Sequence, residues 1–187
     1  MSVSENKPYY HNIDFSTKLL PAEEFEQAEF VNCTFTELSG ITLTDCVFVD
    51  CNLSNVSFKH CKLDNVTFRN CKLTGIDVSV AKDFGLQLRF ENSILDYAIF
   101  EQKKLNKTTF SNCRIQGADF TQTDLSKSKF HNCDFSESVF TNTNVSGVDF
   151  TTCKNFTIDP TINNVKKAKF LSSDLAGLLT RFDIVIK

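Results

Sequence analysis

Large apolar residues recur at every fifth position from Phe90 to Phe150: Phe90, Leu95, Phe100, Leu105, Phe110, Ile115, Phe120, Leu125, Phe130, Phe135, Phe140, Val145 and Phe150. Two residues before each centre stands a smaller side chain, among them Ser93, Ala98, Thr108, Cys113, Ala118 and Cys133. Lys103 breaks this rule and Leu88 bends it. A five-residue period is neither the alternation of a flat strand nor the roughly 3.6-residue period of a helix, and it marks a repeat architecture. The same pattern runs in two earlier registers, Phe25–Phe35 and Leu43–Val78. The phase slips near residues 38–41, where Gly40 is expected to mark a bulge or widened corner, and again at 79–85 (SVAKDFG), an irregular insert.

Each pentad is expected to form one short side of a coil, with centre and small slot pointing inward. Coils then stack as parallel strands roughly 4.8 Å apart, and like side chains ladder through a continuous core. Phe90, Phe100, Phe110, Phe120, Phe130, Phe140 and Phe150 are therefore read as core ladder, scaffold rather than site. The chain divides into an N-terminal cap (1–24), a repeat solenoid (25–155) and a C-terminal cap and dimerisation segment (156–187). In the last, Asp159-Pro160 suits a turn or helix start, and Ser172-Ser173-Asp174 offers N-cap residues to LAGLLTRF. Leu175, Leu178, Leu179 and Phe182 fall on one helical face, and the closing DIVIK reads as a short strand.

Composition sharpens this picture. Phe supplies 19 residues while Trp is absent and Met appears once, the bias that one flat side chain at one repeated position would produce. All eight cysteines (Cys33, Cys46, Cys51, Cys61, Cys71, Cys113, Cys133 and Cys153) occupy small slots, with no CxxC pair and no clustering with His11, His60 or His131. They are expected to be buried thiols rather than disulfides or metal ligands. No phosphate loop, HExxH, GxSxG or EF-hand loop occurs, so neither catalysis nor a cofactor is expected. A net charge of −3 gives no general attraction to nucleic acid or acidic membrane. The N-terminus lacks an apolar h-region, and no apolar run approaches the roughly 18 residues of a membrane span, so a cytoplasmic location is expected.

One motif makes the reading specific. A(D/N)LXX stands nearly intact as Ala118-Asp119-Phe120 and, more loosely, as Thr123-Asp124-Leu125. From about Phe25 to Asn155 the chain resembles the pentapeptide-repeat family. That resemblance implies an all-β solenoid: a right-handed, four-sided parallel β-helix with four pentads per coil, ending here in a short helix and strand. It implies about six coils and a rod roughly 30 Å long. In size and tail layout the chain resembles the Qnr-type quinolone-resistance and microcin-immunity group, whose members protect bacterial DNA gyrase and topoisomerase IV and dimerise through C-terminal elements. The implied partners are a second copy, through Leu175, Leu178, Leu179, Phe182, Ile184 and Ile186, and one of those topoisomerases, protected by a rod of DNA-like shape. The other reading is a structural or scaffold module with an unrelated protein partner. Direct binding to nucleic acid or membrane is not expected.

A twenty-residue coil also places the outward charges. Arg114, Asp134 and Lys154 would stack in one column, with Lys104 beside Asp124 and Lys129 beside Asp149, a pattern of alternating sign. The N-terminal third is less balanced. Glu23, Glu24, Glu26, Glu29, Glu37, Asp45 and Asp50 follow one another with no basic residue between. These seven, with Lys82, Asp83 and Phe84 of the second insert, are the candidate partner-binding residues.

Overall fold

The computed structural model describes residues 7–185, and Ile186, one of the expected tail contacts, lies outside the described residues. The chain winds into a right-handed parallel β-solenoid with four faces. Its first face is a seven-stranded sheet in the order β1 (Tyr9–His11), β3 (Glu29–Val31), β5 (Val47–Val49), β7 (Val66–Arg69), β8 (Leu88–Glu91), β9 (Thr109–Ser111), β10 (Lys129–His131). The fourth face holds β2 (Glu24–Glu26), β4 (Thr42–Thr44) and β6 (Lys62–Asp64). Single parallel bridges, such as Ile94 to Arg114 and Ile99 to Asp119, complete the second and third faces.

Strands of three or four residues suffice because each contributes one apolar centre, and the corners take over immediately. Corner residues sit in the left-handed region, where Asn and Asp are the most tolerant side-chain-bearing residues. Asn32, Asp50, Asn70, Asn92, Asn112 and Asn132 all do so in one column, and Asn112 donates to Asn92 at 3.0 Å and Asn132 to Asn112 at 3.1 Å. The amide ladder ties each coil to the next from outside.

Inside, the expected Phe ladder separates into two stacks, because residues ten apart fall on opposite faces. Phe90, Phe110, Phe130 and Phe150 stack on the first face at 5.1, 4.8 and 5.7 Å. Phe100, Phe120 and Phe140 stack on the third at 5.1 and 5.2 Å. The first-face stack begins at Tyr10 and runs on to Phe170, 5.3 Å beyond Phe150, so the solenoid extends past 25–155 at both ends. The small slot has its own chemistry. Its hydroxyl or thiol donates to the carbonyl of the preceding face's centre one coil back, as Thr123 does to Phe100 at 2.8 Å and Cys51 to Phe30 at 3.3 Å. Hence Cys, Ser and Thr are favoured there, not merely tolerated.

The register slips have opposite effects. Tyr10 pairs with Phe30 twenty residues on, but Phe30 pairs with Phe48, so the second coil has eighteen residues. Phe68 pairs with Phe90, so a later coil has twenty-two; the coils between and after have twenty. The first slip shortens a side instead of widening a corner: Leu38, 2% exposed, closes the third face three residues after Phe35. The second adds a bulge at 82–86 on the fourth face. Its one bridge, Asp64 to Leu86, is antiparallel, whereas the other bridges are parallel.

The tail forms the expected short helix, tightened to 3-10 geometry. It forms two 3-10 segments, Ser172–Leu178 and Thr180–Phe182, with Leu179 N–H bonding Ala176 and Phe182 N–H bonding Leu179. The cause is contact with the last coil. Gly177 lies so close to the Phe156 carbonyl oxygen that any Cβ would collide with it, and the Gly177 carbonyl accepts the Ile158 N–H at 2.9 Å. The described part of DIVIK, residues 183–185, forms no strand.

Candidate partner-binding surface

The eight cysteines are free and buried. Cys33, Cys51, Cys71, Cys113, Cys133 and Cys153 form a single slot column interrupted only by Ser93. Burial pushes the Cys61 thiol up to about 11, and a hydrogen bond with Cys113 together with burial takes Cys133 up to about 12. Thiols so held stay protonated near neutral pH and are poor nucleophiles. His60, next to Cys61, points outward and is exposed. Among the described residues no three His, Cys, Asp or Glu side chains converge as metal ligands would.

The surface is more differentiated. The bulge at 82–86 projects Phe84, 83% exposed, beside exposed Lys82. Its geometry explains Lys103. The Lys103 side chain is 8% exposed, and its ammonium donates to the Ala81 carbonyl at 2.7 Å and to Asp83 at 2.8 Å. A long cation in the small slot thus fills the space a two-residue insertion opens one coil below. The same insertion explains Thr108. The acceptor for its hydroxyl would lie in the bulge, and Thr108 Oγ1 is buried without a partner.

The seven acidic candidates do not form one site. Glu24, Glu26, Glu29 and Asp45 share the edge between the fourth and first faces. Glu23 and Glu37 instead line an open, largely apolar groove of about 460 Å³, with Phe15, Leu19, Leu20, Leu38 and Ile41, beside the shortened side. Ser39 lowers the Glu37 pKa, first through its side chain and then through its N–H, which the carboxylate accepts at 2.8 Å. Asp50 belongs to the asparagine corner, where Asn70 donates to it at 3.1 Å. Lys82, Asp83 and Phe84 stand on the bulge, away from the Glu24–Glu29 cluster. Periodicity could not foretell the groove, which depends on where the chain leaves the coil between Phe15 and Phe25.

Of the charge columns, Arg114, Asp134 and Lys154 stack as expected, with Lys154 on Asp134 at 3.4 Å. Burial opposes ionisation of Asp134, but bonds from Asn155, Ser136 and Lys154 hold its pKa down to about 2. Arg114 instead forks onto Asp96, a 6%-exposed carboxylate whose buried role the five-residue pattern concealed. Lys104 neighbours Asp124 across a bridge, while Asp149 is engaged by Lys169 at 3.2 Å in place of Lys129.

At the C-terminal end the tail covers part of the last coil. Leu178 packs against the core, and Leu179 is half-buried. Leu175, Phe182 and Ile184 remain exposed at 43%, 50% and 54%, joined by Leu171 and Val185. Arg181 fixes the segment by donating to Asp159 at 2.8 Å. The expected interface residues are therefore split between capping and exposure.

Comparison with known proteins follows from this geometry. Among solved structures, full-length QnrB1, described as a plasmid-mediated fluoroquinolone resistance protein, aligns at a TM-score of 0.57 and 18% identity, covering 95% of this chain and 98% of QnrB1. HetL, a pentapeptide repeat protein involved in heterocyst differentiation regulation in the cyanobacterium Nostoc, aligns at 0.43 and 11% identity over 86% of this chain and 81% of its own. No curated protein sequence matches significantly. The family profile described as "Pentapeptide repeat region" matches residues 23–100 and 86–155, which include the slips as well as the regular coils. With that match over most of its length and its pentads laid on four faces, the chain belongs to the pentapeptide-repeat family.

Proposed function

We propose that this chain is a non-catalytic, cytoplasmic protein-binding rod that protects a bacterial type II topoisomerase, DNA gyrase or topoisomerase IV, from quinolones or a natural topoisomerase poison by DNA-like shape. The observation that carries this reading is the likeness to QnrB1 over nearly the full length of both chains. The eight thiols are buried in the core, which supports a binding role over a chemical one. The exposed Leu175, Phe182 and Ile184 support a two-fold, self-complementary contact that lengthens the rod, while Leu178 and Leu179 anchor the segment that carries it. Phe84 and the Glu24–Glu29 edge are the features that would give the rod a specific partner.

The test is relief of fluoroquinolone inhibition in a gyrase supercoiling assay. The reading expects supercoiling to return as purified protein is added, and susceptibility to fall when the gene is expressed. No relief at any ratio, with unchanged susceptibility, would leave the alternative of a scaffold for an unrelated protein.

A further inference from the structure

Some exposed charges meet opposite charges in the adjacent coil, as Arg69 meets Glu91 at 2.9 Å, Lys154 Asp134 at 3.4 Å and Lys169 Asp149 at 3.2 Å. The corner between the fourth and first faces instead sorts its exposed charges by sign along the rod. At its N-terminal end Glu26 and Glu29 stand exposed with Glu24, and Asp45 follows one coil on. Further along, the same edge carries exposed Arg89, Lys107, Lys127 and Lys129. Among the described residues none of these charges is in an ion pair. Lys107 and Lys127 stand one coil apart in one corner column, and stacked like charges at about 4.8 Å disfavour the fold. Lys127 also holds a left-handed backbone, φ 69°, where Asn, Asp or Gly fits more easily.

An edge that is acidic at one end and basic at the other complements itself when reversed. We infer that this edge is an electrostatic contact along which a second copy of the chain lies antiparallel. Counting coils fixes the register. Glu29 and Lys129 are five rungs apart, so a two-fold axis lies midway, between the rungs of Thr67 and Arg89. That axis sets Glu26 and Glu29 of each copy against Lys127 and Lys129 of the other, and Asp45 against Lys107. Glu26, Glu29 and Asp45 are then answered by Lys127, Lys129 and Lys107, with Arg89 beside the axis opposite Thr67, whereas a polyanion such as duplex DNA would answer only the basic half. The overlap spans roughly 24 Å, five steps of the coil spacing. A strip of that length is at the small end of specific interfaces, so the association is reversible and governed by salt.

Sedimentation velocity of the full chain tests this, comparing about 1 M with about 0.1 M NaCl, where the screening length grows from about 3 to about 10 Å. Particle mass is expected to double at low salt. The apolar tail contact of the proposed function does not weaken at high salt, so its presence or absence is read separately from the mass at about 1 M. The doubling should vanish in Glu26→Lys/Glu29→Lys and in Lys127→Glu/Lys129→Glu. It should return when all four changes are combined in one chain, and when the two double variants are mixed. A mass indifferent to salt, or a four-fold variant that fails to re-associate, overturns the inference. So does an unchanged mass accompanied by Lys127- and Lys129-dependent binding of a short duplex DNA probe, which would assign the basic half to a polyanion.

Discussion

Replacing Lys103 by Met tests the account of the bulge in quantitative terms. Met keeps the length of the side chain and removes the ammonium. Lost with it is a 2.7 Å bond to the Ala81 carbonyl, for which no second donor is present among the described residues. A hydrogen bond involving a charged group contributes about 1.5–3 kcal/mol net, and the stranded carbonyl is part of that loss. Two terms work in the other direction. The variant no longer desolvates an ammonium, and Asp83, whose side chain is 67% exposed, returns to water without a buried charge being left behind. The expected net loss is about 2 kcal/mol, a fall in melting temperature of roughly 4–8 °C for a chain of this size. Asp83→Asn isolates the ion pair, which at that exposure contributes less than about 1 kcal/mol. Thermal and urea denaturation of both variants decide the matter. If Asp83→Asn cost as much as Lys103→Met, or if Lys103→Met cost nothing, the carbonyl bond would not be what places a lysine in the small slot.

Other substitutions probe the slot and the ladder. Thr108→Val removes a hydroxyl that has no partner and should be neutral or stabilising by up to about 1 kcal/mol, while Thr123→Val removes the 2.8 Å bond to Phe100 and should destabilise by about 1 kcal/mol, both read by urea titration. Phe110→Ala deletes a fully buried ring stacked at 5.1 and 4.8 Å and should cost about 3–5 kcal/mol, against less than about 0.5 kcal/mol for Phe84→Ala, whose effect should appear in partner binding instead. Asp134 and Asp149, both held at about 2, contribute stability that is present above pH about 4 and lost as pH falls toward 2; Asp134→Asn should flatten that stretch of the stability–pH curve.

How far the sequence spoke for itself follows from which contacts are local. Centres and slots were legible because every coil repeats the same requirement: a large flat residue such as Phe110, and a small donor such as Thr123 two residues before the next centre. The face each centre occupies was not, since it depends on the eighteen- and twenty-two-residue coils, whose lengths appear only when Phe30 is paired with Phe48 and Phe68 with Phe90. Lys103 stood out as an exception, but its cause lies one coil away at Ala81. A short helix in the tail was legible from apolar spacing; its 3-10 geometry was not, because Gly177 packs against the Phe156 carbonyl, a contact the spacing does not encode. The acidic residues were visible as a run, yet consecutive pentads face different directions, so Glu29, Glu37 and Asp50 end on separate parts of the surface.

Binding to the topoisomerase tests the central claim most directly. Gyrase immobilised on a sensor and exposed to the purified chain should retain it, and linear duplex DNA added at increasing concentration should displace it, because a rod of DNA-like shape and the duplex would compete for one surface. Retention lost with rising DNA is the predicted result. No retention at micromolar protein, or retention that duplex DNA leaves unchanged, would contradict the account.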